Sequence, residues 1–251
     1  MLRIEDLHKS FGGVAATNGV TLDFPAGSLS AVIGPNGAGK TTFFNLICGT
    51  YRPDRGRVLL QGENIAGLSA PAIVRRGIAR AFQIASVFPS LRVREALAGA
   101  VNAQRRSHAN LWQRFPLAVS RRAVDEALDL VGLSARADTL SGNLSHGDQK
   151  LLDIALALAL EPRVLLLDEP TAGMGPEERW QMIETVHQLW QRKALTLIFI
   201  EHDMDIVFKY AQSVRVLCYG AVLAEGSPDE IRRDARVIEA YLGKQYREAA
   251  T

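Results

Sequence analysis

Nine consecutive residues constrain this chain more than any other feature. Gly34-Pro35-Asn36-Gly37-Ala38-Gly39-Lys40-Thr41-Thr42 satisfies the phosphate-loop pattern GxxxxGK[ST]. The pattern follows a short run of branched apolar residues ending at Ile33 and opens a segment with helical character that runs to Cys48, where Gly49 closes it. Glycines let the backbone turn so tightly that successive N–H groups converge on phosphate oxygens, and the helix adds the positive end of its dipole. Lys40 is placed to neutralise the β and γ phosphates and the Thr41 hydroxyl to ligate Mg²⁺. With ordinary residue frequencies, such a match arises by chance in a chain of 251 residues about once in a hundred.

A phosphate-bound Mg²⁺ needs a carboxylate, and hydrolysis needs a group that orients and activates water. Val164-Leu165-Leu166-Leu167-Asp168-Glu169 offers both at the end of one apolar run. Alone, this hexamer is an acidic strand-to-loop junction; beside the phosphate loop, Asp168 becomes the metal carboxylate and Glu169 the residue that acts on water. A third run, Leu195 to Ile200, delivers Glu201 and His202; a lone histidine is more often structural than catalytic, and the other reading is that His202 contacts the γ phosphate. Such runs, Ser30 to Ile33 included, suit parallel strands buried on both faces, whose carboxyl ends collect ligands in open α/β sheets.

The rest of the chain supports a folded α/β protein. Leu2 to Leu7 and Val20 to Phe24 read as an antiparallel flap around the turn-forming Phe11-Gly12-Gly13. Some 130 residues between the first and second strand runs carry helical periodicity, clearest from Arg121 to Leu133. Val214 to Tyr219 and Ala221 to Ala224 form a hairpin turning at Gly220, and Pro228 opens a helical tail. Apolar residues at 47% and charged residues at 22% exclude a disordered or collagenous chain. Two cysteines, Cys48 and Cys218, cannot build a disulfide framework or a CxxC metal site, so a reducing compartment is expected. Neither a signal peptide nor a membrane span is expected, the longest uncharged stretch, Phe24 to Gly39, being broken by proline and glycines. Charge is uneven: Arg75 to Arg122 holds ten arginines and one acid, Glu95. That block is net +9 against −7 elsewhere, which together make the chain's +2. The block reads as a solvated face, a nucleic-acid surface or a membrane-facing surface.

The order of these motifs resembles the nucleotide-binding subunits of ATP-binding cassette (ABC) transporters along nearly the whole chain. Leu144-Ser145-His146-Gly147-Asp148-Gln149 resembles that family's LSGGQ element, with His146 and Asp148 replacing its first glycine and its glutamine. It reads equally as an S-x-x-D cap ahead of the apolar helix Leu151 to Leu160, and both readings hold together. The resemblance implies a P-loop NTPase (RecA-like) α/β core with an N-terminal antiparallel β subdomain and an inserted α-helical subdomain. It divides the chain into a core of 1–84 and 163–226, a helical subdomain of 85–162 and a tail of 227–251. It further implies that Phe11 stacks on adenine, the alternative being a flap core residue, and that Gly34 to Thr42 bind ATP. Gln83 would link Mg²⁺ to the transport partner, with Thr41 and Asp168 as the other metal ligands. Ser145 and Gly147 would close on the γ phosphate held by a second cassette, identical or a sister subunit. Lys40, Glu169 and His202 would serve hydrolysis. After Glu169 the family reads SALD, whereas Ala172-Gly173-Met174-Gly175 puts glycine where the aspartate would signal across the dimer.

Arg76-Gly77-Ile78-Ala79-Arg80, Glu201-His202-Asp203-Met204 and Val237-Ile238-Glu239-Ala240-Tyr241-Leu242-Gly243 resemble branched-chain amino acid importer ATPases, a pattern shared with urea and amide importers. Such a subunit would work at the cytoplasmic membrane face with two permeases and a solute-binding protein, and nucleic acid is not an expected partner. The rivals are a cassette ATPase acting on nucleic acid or ribosomes, and a phosphate-loop kinase or GTPase. The first lacks interleaved aromatics for base stacking in the +9 block; the second lacks an NKxD guanine reader or does not explain Ser145 and His202.

Overall fold

The computed structural model describes residues 1–81, 88–105 and 118–242. They fall into two compact units, 1–73 with 196–242, and the described residues of 74–195.

The first unit opens with β1 (Leu2–Phe11) and β2 (Val14–Phe24), antiparallel with Leu2 opposite Phe24 and Ile4 opposite Leu22. Leu2, Ile4 and Leu7 on one strand and Val20, Leu22 and Phe24 on the other are buried. These are the apolar positions expected of a half-buried hairpin. The strands run beyond the apolar cores read from sequence, up to a turn at Gly12 and Gly13. β4 (Arg55–Leu60) adds to the free side of β1, and the two-residue β5 (Glu63–Asn64) completes this sheet in the order β2-β1-β4-β5. The same unit holds β3 (Leu29–Ile33), wholly buried, parallel to β8 (Thr196–Ile200) on one side and β9 (Ser213–Cys218) on the other. β10 (Ala221–Gly226) pairs antiparallel with β9 through a turn at Tyr219 and Gly220, as expected. α1 (Lys40–Ile47) follows β3, and α7 (Met204–Tyr210) follows β8. Pro228 begins α8 (Pro228–Arg233), capped by Ser227 and followed by α9 (Ala235–Val237) and a π turn over Ile238–Leu242.

α2 (Ala70–Arg75) leads into the second unit. There β6 (Ile78–Ala81) runs parallel to β7 (Val164–Asp168), with Ile78 opposite Val164 and Ala81 opposite Leu167. Between them lie α3 (Val93–Arg105), α4 (Ala118–Val131) and α5 (His146–Leu158), with α3 and α5 packed on α4. α6 (Pro176–Lys193) follows β7. Four of its 18 residues, Met182, Ile183, Val186 and Leu189, are buried. An antiparallel sheet, parallel strands and intervening helices make a mixed α/β protein of the expected class.

Among the described residues, several arginines of the arginine-rich stretch have acceptors. Arg80 is half-buried against Asp168, Arg94 pairs with Asp138 at 2.9 Å and Arg122 with Glu126 at 3.0 Å, while Arg92 donates to the Asp138 carbonyl. Among the described residues no helix is long and apolar enough to cross a membrane.

Candidate active site

In the first unit the phosphate loop connects β3 to α1, where the sequence places it. α1 is preceded by Gly39, which is left-handed at φ 96°, and no side chain caps the helix. Its first turn carries no acid. The N–H groups of that turn therefore have no intrahelical partner, the arrangement that suits an anion. The Lys40 ammonium is buried and donates to Gly34 O at 2.6 Å and Pro35 O at 3.0 Å, which fixes the cation inside the loop. Two neighbours hold the loop from outside. A β-carbon on Gly34 would lie 2.0 Å from Leu217 O on β9, and one on Gly39 would lie 2.1 Å from Ala16 O on β2. The Gly220 N–H donates to Ala38 O at 3.1 Å, and Asn18 N–H to Gly220 O at 2.7 Å. At Gly37, φ +79°, nothing lies within 4 Å of the β-carbon position, so the loop is open on that side. Asn36, Gly37 and Thr41 are exposed, Pro35 and Thr42 half-buried, Ala38 buried. The loop's donors are backbone N–H groups, one ammonium and the threonine hydroxyls, a set that fits a polyphosphate.

Phe11 ends β1 opposite Val14, two residues along β2 from Ala16, whose carbonyl faces the loop at Gly39. It is 43% exposed, which rules out the flap-core alternative. The edge of Tyr51 meets its ring, centroids 5.2 Å apart at 68°, and the Lys9 ammonium lies 5.5 Å from the ring centre. Lys9 is anchored on Asp54 at 2.7 Å. That hydrogen bond, with one from the Ser10 N–H, holds the Asp54 carboxyl below its ordinary range. His202 is exposed just past the end of β8 and donates its backbone N–H to the buried Glu201 at 3.1 Å. Asp203, next in line, caps α7.

In the second unit β7 ends on Asp168, buried and paired with the Arg80 guanidinium at 2.5 Å. Glu169 follows with φ 50°, a left-handed backbone uncommon for a residue with a β-carbon. Ser145 is exposed and caps α5, its Oγ accepting from the Asp148 N–H at 3.1 Å. The helix therefore starts at His146, five residues before the apolar stretch. A serine hydroxyl has one proton and two lone pairs. As a cap it accepts, and its own proton stays available for an anion, so capping and phosphate binding are compatible. The replacements after Ser145 and after Glu169 meet in space. His146 Nε2 lies 3.2 Å from the β-carbon position of Gly173, and Met174 Cε lies 3.9 Å from that of Gly147.

Gln83 lies outside the described residues. Sequence reasoning missed Arg80, Tyr51 and Lys150. The signal for Arg80 and Lys150 was a cation inside an otherwise apolar strand or helix; nothing local marked Tyr51. Among the described residues no group of three or more His, Cys, Asp or Glu stands ready to cage a metal. Each unit holds one hard oxygen donor of the kind that suits Mg²⁺, the Thr41 hydroxyl in the first and the Asp168 carboxylate in the second.

A family model described as ABC transporter matches residues 17–172, which span the phosphate loop, the Ser145 element and the Asp168-Glu169 strand. The chain belongs to the ABC transporter family, and it is an ATP-binding transport ATPase of that family. A second model, described as branched-chain amino acid ATP-binding cassette transporter, matches residues 221–247. The chain is 37% identical over 252 residues to the high-affinity branched-chain amino acid transport ATP-binding protein LivG of Escherichia coli K12, covering 97% of this chain and 98% of that one. It is 38% identical over 254 residues to BraF of Pseudomonas aeruginosa, a protein of the same description, with the same coverage. Among solved structures, MJ1267, an ATP-binding cassette of an ABC transporter, superposes with a TM-score of 0.84 at 31% identity, covering 97% and 99% of the two chains. cbiO1 of Clostridium perfringens, part of the ABC transporter complex cbiONQ, gives 0.81 at 31%, covering 99% and 97%.

Proposed function

We propose that this chain is the ATP-hydrolysing subunit of an importer of branched-chain amino acids. The observation that carries the reading is one chain joining a phosphate loop of this geometry to a C-terminal segment, 221–247, that matches the branched-chain group's own family model. The full-length similarity to LivG and BraF supports it.

Phe11 stacks on the adenine, the loop from Gly34 to Thr42 wraps the phosphates, and Lys40 neutralises them. Thr41, Asp168 and Gln83 would hold Mg²⁺. When bound, the metal supplies positive charge to the β and γ phosphate oxygens. Glu169 takes the proton of the attacking water and His202 contacts the γ phosphate. Ser145 and Gly147 serve the nucleotide of a second cassette, so that the monomer is incomplete as a catalyst. ATP favours the closed pair and its hydrolysis the open one, so nucleotide acts as a differential ligand of two states. In this reading 1–84 and 163–226 are the catalytic core, 85–162 the helical subdomain and 227–251 the tail. The partners are two membrane permeases and a solute-binding protein, and the chain works at the cytoplasmic membrane face.

Deleting the gene in its host tests this. Uptake of labelled leucine, isoleucine and valine falls, and a plasmid carrying the wild-type chain restores it while the Glu169→Gln chain does not. Loss of urea or short-amide uptake with leucine uptake intact would reassign the solute.

A further inference from the structure

Lys150 is a buried cation, 4% exposed, in the middle of an apolar helix face, and the reaction as described makes no use of it. Desolvating an ammonium is costly unless its donors find acceptors. Here two of them do: Lys150 Nζ donates to Glu169 O at 2.9 Å and to Ala172 O at 2.9 Å. The first acceptor belongs to the residue that activates water, and its left-handed φ of 50° is a conformation that needs outside support. The second belongs to the turn carrying Gly173 and Met174, the two positions that face His146 and Gly147. Lys150 also lines a cleft of about 10 Å³ together with Asp153 of its own helix and the metal carboxylate Asp168. Lys150 lies five residues after Ser145 on α5, whose backbone hydrogen bonds make those residues one rigid lever, about 7.5 Å long. A displacement of the Ser145 end is therefore delivered to the backbone that aims Glu169.

We propose that Lys150 is a positioning residue that ties the Ser145–Gly147 element to Glu169, so that engaging phosphate from a second chain and aligning the water-activating carboxylate are one event. This rests on the two-chain reading above. In that reading Gly175, where the family has its aspartate, leaves signalling between the sites to other contacts, and the Lys150 tie is such a contact inside each chain.

The test uses the full chain, with ATP hydrolysis and thermal melting measured for Lys150→Met and Lys150→Arg. Lys150→Met lowers kcat by roughly 10- to 100-fold, the effect of misaligning a catalytic group. KM stays within about twofold, because nucleotide binding is untouched. Lys150→Arg keeps the cation and recovers most of the rate. An unchanged kcat in Lys150→Met, or an equal loss in Lys150→Arg, overturns the proposal. Should Lys150→Met fail to fold, amide hydrogen exchange decides. In the Glu169→Gln chain, ATP with Mg²⁺ slows exchange across 169–175, and adding Ser145→Arg abolishes that slowing; equal slowing in both overturns the tie. The underlying reading fails separately: a Glu169→Gln chain that stays monomeric with ATP by light scattering removes the two-chain site itself.

Discussion

The phosphate loop and the Ser145 element are both helix N-termini, built on opposite plans. At α1 no side chain caps the helix, and its first residue follows a left-handed glycine jammed against a neighbouring strand. At α5 a serine caps the helix, and the nearby glycine has room around it: a β-carbon on Gly147 would meet only Met174 Cε at 3.9 Å. The loop is complete within one chain, its cation already seated on its own carbonyls. The Ser145 element satisfies itself with its own hydroxyl and keeps only a proton and an exposed face for a visitor. In the proposed cycle the loop would hold nucleotide throughout, which favours rigidity, and the Ser145 element would engage and release, which favours a helix end that is stable by itself.

Three sets of substitutions would break or sharpen that contrast. The largest effect is expected at Gly39, where alanine adds a β-carbon 2.1 Å from Ala16 O at φ +96°. Gly39→Ala should cost more than about 2 kcal/mol, or abolish nucleotide binding, whereas Gly147→Ala should stay within about 0.5 kcal/mol by denaturant melting. Comparable losses at both would erase the distinction. Next, Lys40→Ala removes a charge-assisted donor and should weaken ATP binding by about 10- to 100-fold in a fluorescent-nucleotide titration. Unchanged affinity would remove the loop's assignment. The smallest effect separates the two roles of Ser145. Ser145→Ala should cost about 1 kcal/mol through the lost cap. Ser145→Asp keeps the cap, and with it the melting point, but has no proton to donate and repels phosphate. ATP-driven dimerisation should therefore fail in Ser145→Asp, and a normal dimer there would leave the serine as a cap only.

Much of this was legible in the chain. Strand, loop and helix around residues 30–48 were read nearly as they stand, as were the apolar run at 164–167 and the hairpin turning at Gly220. β4 and α6 were not assigned. β4 opens with Arg-Gly-Arg, which looks like loop and becomes strand by pairing with β1, Arg3 opposite Leu59. α6 buries only four of its residues, too few for its period to stand out from its many charges. Charge counted along the arginine block said nothing of the carboxylates and carbonyls that meet Arg80, Arg92, Arg94 and Arg122 in space.

What the sequence determined alone is the local chemistry: which backbone must turn left-handed, which helix lacks a cap, which strand ends in acids. Those are demands a few neighbouring residues place on one another, so spacing reveals them. Tertiary structure decided which groups share a bond across long stretches of chain. Arg80 reaches Asp168, Tyr51 meets the ring of Phe11, and Lys150 holds the carbonyl of Glu169. Such pairs form because a buried charge or an aromatic edge takes whatever partner the packed fold brings within reach, and that depends on every element at once.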